Sequence, residues 1–215
     1  QGFPQGVFNE VYWPGASVGE MLIQQPIDLI SFTGSTKTGK YIMATGLEKN
    51  IKVIAELGGS APGIVAPDAD LQTVVDAVWF YRYFNNGQIC DGLKRLIVHR
   101  SRYDEVVAAL KAMLGTKKIW DPADESTDLG SLVAQRQVNR LQEQLSDARN
   151  KWAVVEEIWT LSPDLHGAYV LPSIITDIWF DMQVRTEEVF GPALPIVKYD
   201  TLDEAIGLAN DTDYG

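Results

Sequence analysis

Short apolar runs rich in β-branched residues alternate with stretches of helical period along this chain, and that alternation restricts it to layered α/β architectures. Residues 7–12 read as a short strand and residues 15–24 as a helix turning over Val18, Met21 and Leu22. Residues 27–33 read as a stronger strand, after which Gly34-Ser35-Thr36 opens a helix through about residue 45. Residues 51–57 form a buried strand by their β-branched content, ended by Gly58-Gly59. A second series follows: a strand at 63–66, a helix over 70–84 with a broad apolar face, a strand at 96–99 and an amphipathic helix at 103–114. The series ends with a helix at 133–150 that turns Val138, Leu141 and Leu145 inward, a strand at 193–199 and a helix at 202–210.

With 215 residues, 46% of them hydrophobic and 22% charged, the chain has enough apolar mass for one large or two modest folded domains. A net charge of −11 repels phosphate backbones and anionic bilayers, which argues against nucleic-acid and membrane partners. No apolar run approaches the roughly 18 to 20 residues of a membrane-spanning helix. One cysteine cannot make an internal disulfide, which fits a reducing, cytoplasmic setting. The two histidines, His99 and His166, stand apart, and with no second cysteine a zinc cluster is not expected.

Two residues draw attention as chemistry. Cys90 follows Asn85-Asn86-Gly87-Gln88, a polar, turn-favouring stretch at the end of an apolar helix, where a thiol is reachable by substrate. Glu56 closes an apolar strand, an unfavourable place for a carboxylate unless it is hydrogen-bonded or functional. A thiolate and a carboxylate together can form a thioester and hydrolyse it. The turn Thr33-Gly34-Ser35-Thr36, with Gly39, joins a strand to a helix start whose amides attract anions, although it is not a full dinucleotide fingerprint.

Five blocks in fixed order resemble the aldehyde dehydrogenase superfamily: Phe32-Thr33-Gly34-Ser35-Thr36 with Gly39; Glu56-Leu57-Gly58-Gly59-Ser60-Ala61-Pro62; Gly87-Gln88-Ile89-Cys90 with Arg95; Glu187-Glu188-Val189-Phe190-Gly191-Pro192; and Asn210 to Gly215. The resemblance implies an α/β fold in which residues 1–58 are the last part of a Rossmann-type NAD(P)-binding domain and residues 59–215 most of the catalytic domain. It implies NAD or NADP as cofactor, an aldehyde as substrate, Cys90 as nucleophile and Glu56 as the base that activates water, with a carboxyl raised in pKa by partial burial. Gly34, Ser35 and Gly39 would lie at the pyrophosphate, Leu57 at the nicotinamide through its backbone, and Glu188 and Phe190 at the nicotinamide ribose.

The resemblance further implies a homodimer or homotetramer, and a chain that is one segment of a longer enzyme. The family's oxyanion-stabilising asparagine and its adenosine-ribose lysine fall outside the sequence, so the isolated segment is expected to be weakly active. Ser131 stands where proline is usual, and residues 151–160 depart from a Gly-rich turn. Lys94 and Arg95, following the cysteine, would suit small acidic semialdehydes, while Arg95, at a usual family position, also has a structural reading. Two other readings stay open, a non-catalytic folding or oligomerisation module and a redox-independent thiol hydrolase.

Overall fold

The computed structural model describes residues 2–12 and 15–214, which divide into two compact units, Gln1–Gly58 and Gly59–Gly215. The architecture is mixed α/β, with parallel pairing dominant in both units.

The first unit holds helix α1 (Gly15–Ile23), strand β1 (Leu29–Thr33), helix α2 (Thr36–Glu48) and strand β2 (Lys52–Glu56). Strands β1 and β2 pair in parallel from Leu29↔Lys52 to Thr33↔Glu56. Residues 7–12, expected as a strand, form no regular element, and Val7, Phe8, Val11 and Tyr12 are all exposed. A segment with no paired strand has no ladder to satisfy its amides, so apolar content alone does not make it a strand. Helix α2 packs closely on the sheet because two of its positions lack a side chain: a β-carbon on Gly39 would fall 2.3 Å from Leu57 Cδ2, and one on Gly46 2.4 Å from Val53 Cγ2.

The second unit is built on a five-stranded sheet. Its strands are β3 (Ala61–Val65), β4 (Leu93–His99), β5 (Val154–Glu157), β6 (Ser173–Thr176) and β7 (Ala193–Tyr199), in the order β3-β4-β7-β6-β5. All pairs are parallel except β5 with β6. Among the described residues of the unit five α-helices accompany the sheet: α3 (Leu71–Val78), α4 (Tyr103–Gly115), α5 (Gln135–Asn150), α6 (Gln183–Thr186) and α7 (Leu202–Asn210). One core joins α3 and α4 to β4 through Val78, Val106, Leu110, Leu96 and Val98; another joins α5 to β6 and β7 through Leu141, Leu145, Ile175 and Ala193.

The helix expected over 70–84 is regular only to Val78. Asp70 caps it, its Oδ1 accepting from Thr73 N at 2.8 Å, and beyond Val78 the helix widens into a π turn at Trp79–Tyr83. That widening brings Arg82 and Tyr83 inside, 1% and 0% exposed. Strands β5 and β6 and the short helix α6 were not anticipated. Among the described residues no helix is long and apolar enough to cross a membrane.

Candidate active site

In the second unit the chain leaves the π turn through three successive left-handed residues, Asn85 (φ 50°), Asn86 (φ 54°) and Gly87 (φ 70°). Non-glycine residues rarely adopt this conformation, and asparagine is the best of them because its amide bonds locally. Asn85 Nδ2 donates to Gln88 O at 3.1 Å and Asn86 Nδ2 to Ser131 O at 3.2 Å. Gln88 Oε1 in turn accepts from Val133 N at 2.9 Å, so residues 131–133 brace the turn from outside. Ser131 contributes its carbonyl to this brace, which proline would also offer.

The turn so fixed carries Cys90, a free, half-buried thiol. Its carbonyl oxygen would stand 2.5 Å from a β-carbon on Gly59, so only glycine admits the approach of these two segments. Gly59 N donates to Glu188 Oε1 at 3.3 Å. The same oxygen lies 3.3 Å from Lys94 Nζ, whose side chain is 1% exposed, and Lys94 also donates to the carbonyl of Ile89. The ammonium sits 4.9 Å from the centroid of the Phe190 ring. Cys90, Glu188 and Phe190 are thus brought into one cluster with Gly59 and Lys94, while Glu188 Oε2 has no hydrogen-bond partner among the described residues.

Burial, with the nearby Arg82 charge second, pulls the Lys94 ammonium down to about 8, against the opposing pull of Glu188. The Glu187-Glu188 turn is held from behind. Gln144 Nε2 donates to Glu188 O at 3.1 Å and Arg140 Nη2 to Glu187 Oε2 at 2.8 Å, while Glu188 N donates to Tyr214 Oη at 3.4 Å. Gly215, the last residue of the fifth block, lies outside the described residues.

Sequence reasoning named Cys90, Glu188 and Phe190 but missed Lys94 as their link, assigning its charge to substrate. The structure corrects that reading. Lys94 is spent on Glu188 and Ile89, and Arg95 is equally committed, donating from Nε and Nη2 to Ser60 O and from Nη1 and Nη2 to Leu208 O and Ala209 O. An ionisable residue inside the strand pattern Leu93-Lys94-Arg95-Leu96-Ile97-Val98 was the available signal, since such residues are buried only when paired.

In the first unit the strand-to-helix turn is fastened by Gly34 N donating to Glu56 O at 3.0 Å. A β-carbon on Gly34 would fall 2.5 Å from the Phe32 ring. Ser35 caps α2, its Oγ accepting from Thr38 N at 3.3 Å. The opening amides of the helix have no intrahelical acceptor, and Thr36 Oγ1 is buried with no partner among the described residues. An anion at this start would satisfy those groups and meet the positive end of the helix dipole. Gly39 seats Leu57 against α2. Glu56, expected partly buried, is exposed at the end of β2: the outward phase of the strand's alternation carries it to water.

The profile of the aldehyde dehydrogenase family matches residues 1–215. A peroxisomal aminoaldehyde dehydrogenase of Pisum sativum is 41% identical over all of this chain, which covers 43% of that protein. Among solved structures, a succinate-semialdehyde dehydrogenase of Burkholderia pseudomallei is 33% identical with a TM-score of 0.93, and an NAD+ complex of an aldehyde dehydrogenase from Bacillus cereus is 35% identical with a TM-score of 0.93. Each is matched over 100% of this chain and 44% of its own. The chain therefore spans under half the length of the relatives it matches, and over its whole length it belongs to the aldehyde dehydrogenase family.

Proposed function

We propose that the protein oxidises an aldehyde to a carboxylic acid with NAD or NADP, using Cys90 as the nucleophile. The observation that carries this reading is the braced, left-handed turn that carries a half-buried thiol, with the Cys90 carbonyl against Gly59 and Gly59 N holding the carboxylate of Glu188. Such a turn stores backbone strain, which persists only where surrounding contacts over-determine it and which concentrates at reacting residues.

Each unit carries groups suited to a part of a dinucleotide. The start of α2, with Gly34, Ser35 and the unpartnered Thr36 hydroxyl, suits a pyrophosphate, and Gly39 sets Leu57 beside that helix. Glu188 offers the free Oε2 as acceptor for ribose hydroxyls, and Phe190 a flat apolar wall. When bound, the nicotinamide takes up the hydride that leaves the substrate carbon.

Cys90 as thiolate attacks the aldehyde carbon, and the carbonyl oxygen gains a proton to give a thiohemiacetal. Loss of hydride from that carbon and of the hydroxyl proton leaves a thioester on Cys90. Glu56 takes a proton from water, whose oxygen attacks the thioester carbon; collapse expels the Cys90 thiolate and releases the acid. An exposed carboxylate at the end of β2 is free to exchange the proton with solvent. The lone cysteine and acidic balance support a cytoplasmic setting, and the family a homodimer or homotetramer.

The test is NADH formation by the full-length protein with a panel of aliphatic, aromatic and semialdehyde substrates. Activity that C90S abolishes and E56Q reduces at the thioester-hydrolysis step is the expected result; a folded protein that forms no NADH with any of them overturns the reading.

A further inference from the structure

Lys94 does more than fill the core. Its ammonium has three donors, and two of its partners belong to separate parts of the proposed site: the carbonyl of Ile89, one residue before Cys90, and Glu188 Oε1. The third feature around it is the Phe190 ring, 4.9 Å to the centroid. A lysine 1% exposed is costly unless paired, and here the pair is with a carboxylate itself only 18% exposed. Because Lys94 and Gly59 N both take Oε1, the carboxylate is held through one oxygen and Oε2 is left without a hydrogen-bond partner among the described residues.

We propose that Lys94 is a positioning residue that couples the Cys90 turn to Glu188, so that the geometry of the nucleophile and the orientation of the carboxylate are set together. This rests on the dehydrogenase reading for its consequences in catalysis, but the coupling itself is a property of the chain without cofactor. Shortening or neutralising Lys94 frees the Ile89 carbonyl and releases the Glu188 carboxylate to rotate, and each change is felt at the other end. Coupling between groups in one hydrogen-bonded network is reciprocal, so a change at Glu188 must also alter the Cys90 turn.

The experiment uses the full-length protein as wild type, K94M, K94Q, E188Q and K94M/E188Q, each checked for folding by its thermal transition. The first readout is the rate of Cys90 alkylation by iodoacetamide without cofactor. The second is KM for NAD against kcat. K94M and E188Q are each expected to change the alkylation rate by about 3-fold or more, and the double variant to match one single variant rather than the product of both. KM for NAD should rise about 5-fold or more in K94M with a smaller change in kcat, and E188Q should add little to it. K94Q, which can still donate to Ile89 O without the charge, should recover alkylation more than KM.

Multiplicative effects in the double variant, or an alkylation rate indifferent to either E188Q or K94M, overturn the coupling. A wild-type protein that forms no NADH overturns the dehydrogenase reading instead, and the alkylation cycle then judges the coupling alone. Should K94M not fold, the alkylation rate of E188Q against wild type judges the coupling, because a change at Glu188 that leaves Cys90 unaltered overturns it.

Discussion

A β-carbon on Gly87 would lie 2.5 Å from the carbonyl oxygen of Gly191, and 2.9 Å from that of Arg82. The residue that turns the chain toward Cys90 is therefore pressed against the segment that carries Glu188 and Phe190 into β7. Two demands meet at one position, a φ of +70° and backbone oxygens that cannot rotate aside as a side chain would. Alanine in the left-handed region alone costs about 1–2 kcal/mol. G87A should lower the unfolding free energy by about 2 kcal/mol or more, read from urea unfolding, and should lose the proposed dehydrogenase activity even where the protein remains folded.

Arg82 is the tie behind that contact. From a position 1% exposed its guanidinium donates to Leu93 O and Val189 O at 3.2 Å, to Ala193 O at 2.5 Å and to Gly191 O. Burial pulls the group down to about 10, still charged at neutral pH. R82M strands several buried acceptors at about 1–3 kcal/mol each, so a loss of about 3 kcal/mol or more is expected in chemical denaturation. R82K keeps the charge but not the planar fork, and should fall between wild type and R82M. Equal stability of R82M and wild type would show that these carbonyls find other donors.

The pattern of periods was enough to read β1, α2, β2, α4, α5 and α7, because each has a partner that its apolar face requires. It failed at residues 7–12, which have apolar residues but pair with no strand among the described residues. It also passed over Ser173–Thr176, a four-residue run made a strand by its place between β5 and β7 rather than by length. The proposed site residues were legible through their motifs. What holds them was not: Lys94, Arg82 and Gln144 act through contacts over tens of residues, and nothing in local sequence records which carbonyl or carboxylate a buried cation will meet.

Gly39 and Leu57 offer a test confined to the first unit. Replacing Gly39 by alanine favours the helix by about 1 kcal/mol through propensity, while the new methyl overlaps Leu57 Cδ2, a position 2.3 Å away. Overpacking of this kind costs about 1–3 kcal/mol, so a net loss of up to about 2 kcal/mol is expected for G39A. L57A removes the obstructing atoms. G39A/L57A should therefore be more stable than the sum of the two single changes predicts, and calorimetry of all four proteins measures the difference. Strict additivity would mean that Leu57 moves aside freely and that the small residue in α2 is not needed for its seat.

The depressed Lys94 ammonium makes a prediction about pH. Its ordinary value of 10.5 falls to about 8 in the folded protein, chiefly through burial. Below pH 8 both folded and unfolded chains hold the proton, and the burial penalty is fully present. Between 8 and 10.5 the unfolded chain binds the proton that the folded chain has released, so unfolding free energy rises with pH across this window. Tyr83, pushed up by burial, acts in the opposite sense only above pH 10, where the unfolded phenol ionises and the folded one does not. Urea midpoints taken between pH 7 and 9.5 should show wild type gaining on K94M above pH 8, because methionine has no proton to lose. Curves that run parallel across that interval would mean that Lys94 titrates as an ordinary surface lysine and is not confined between Glu188 and the turn that carries Cys90.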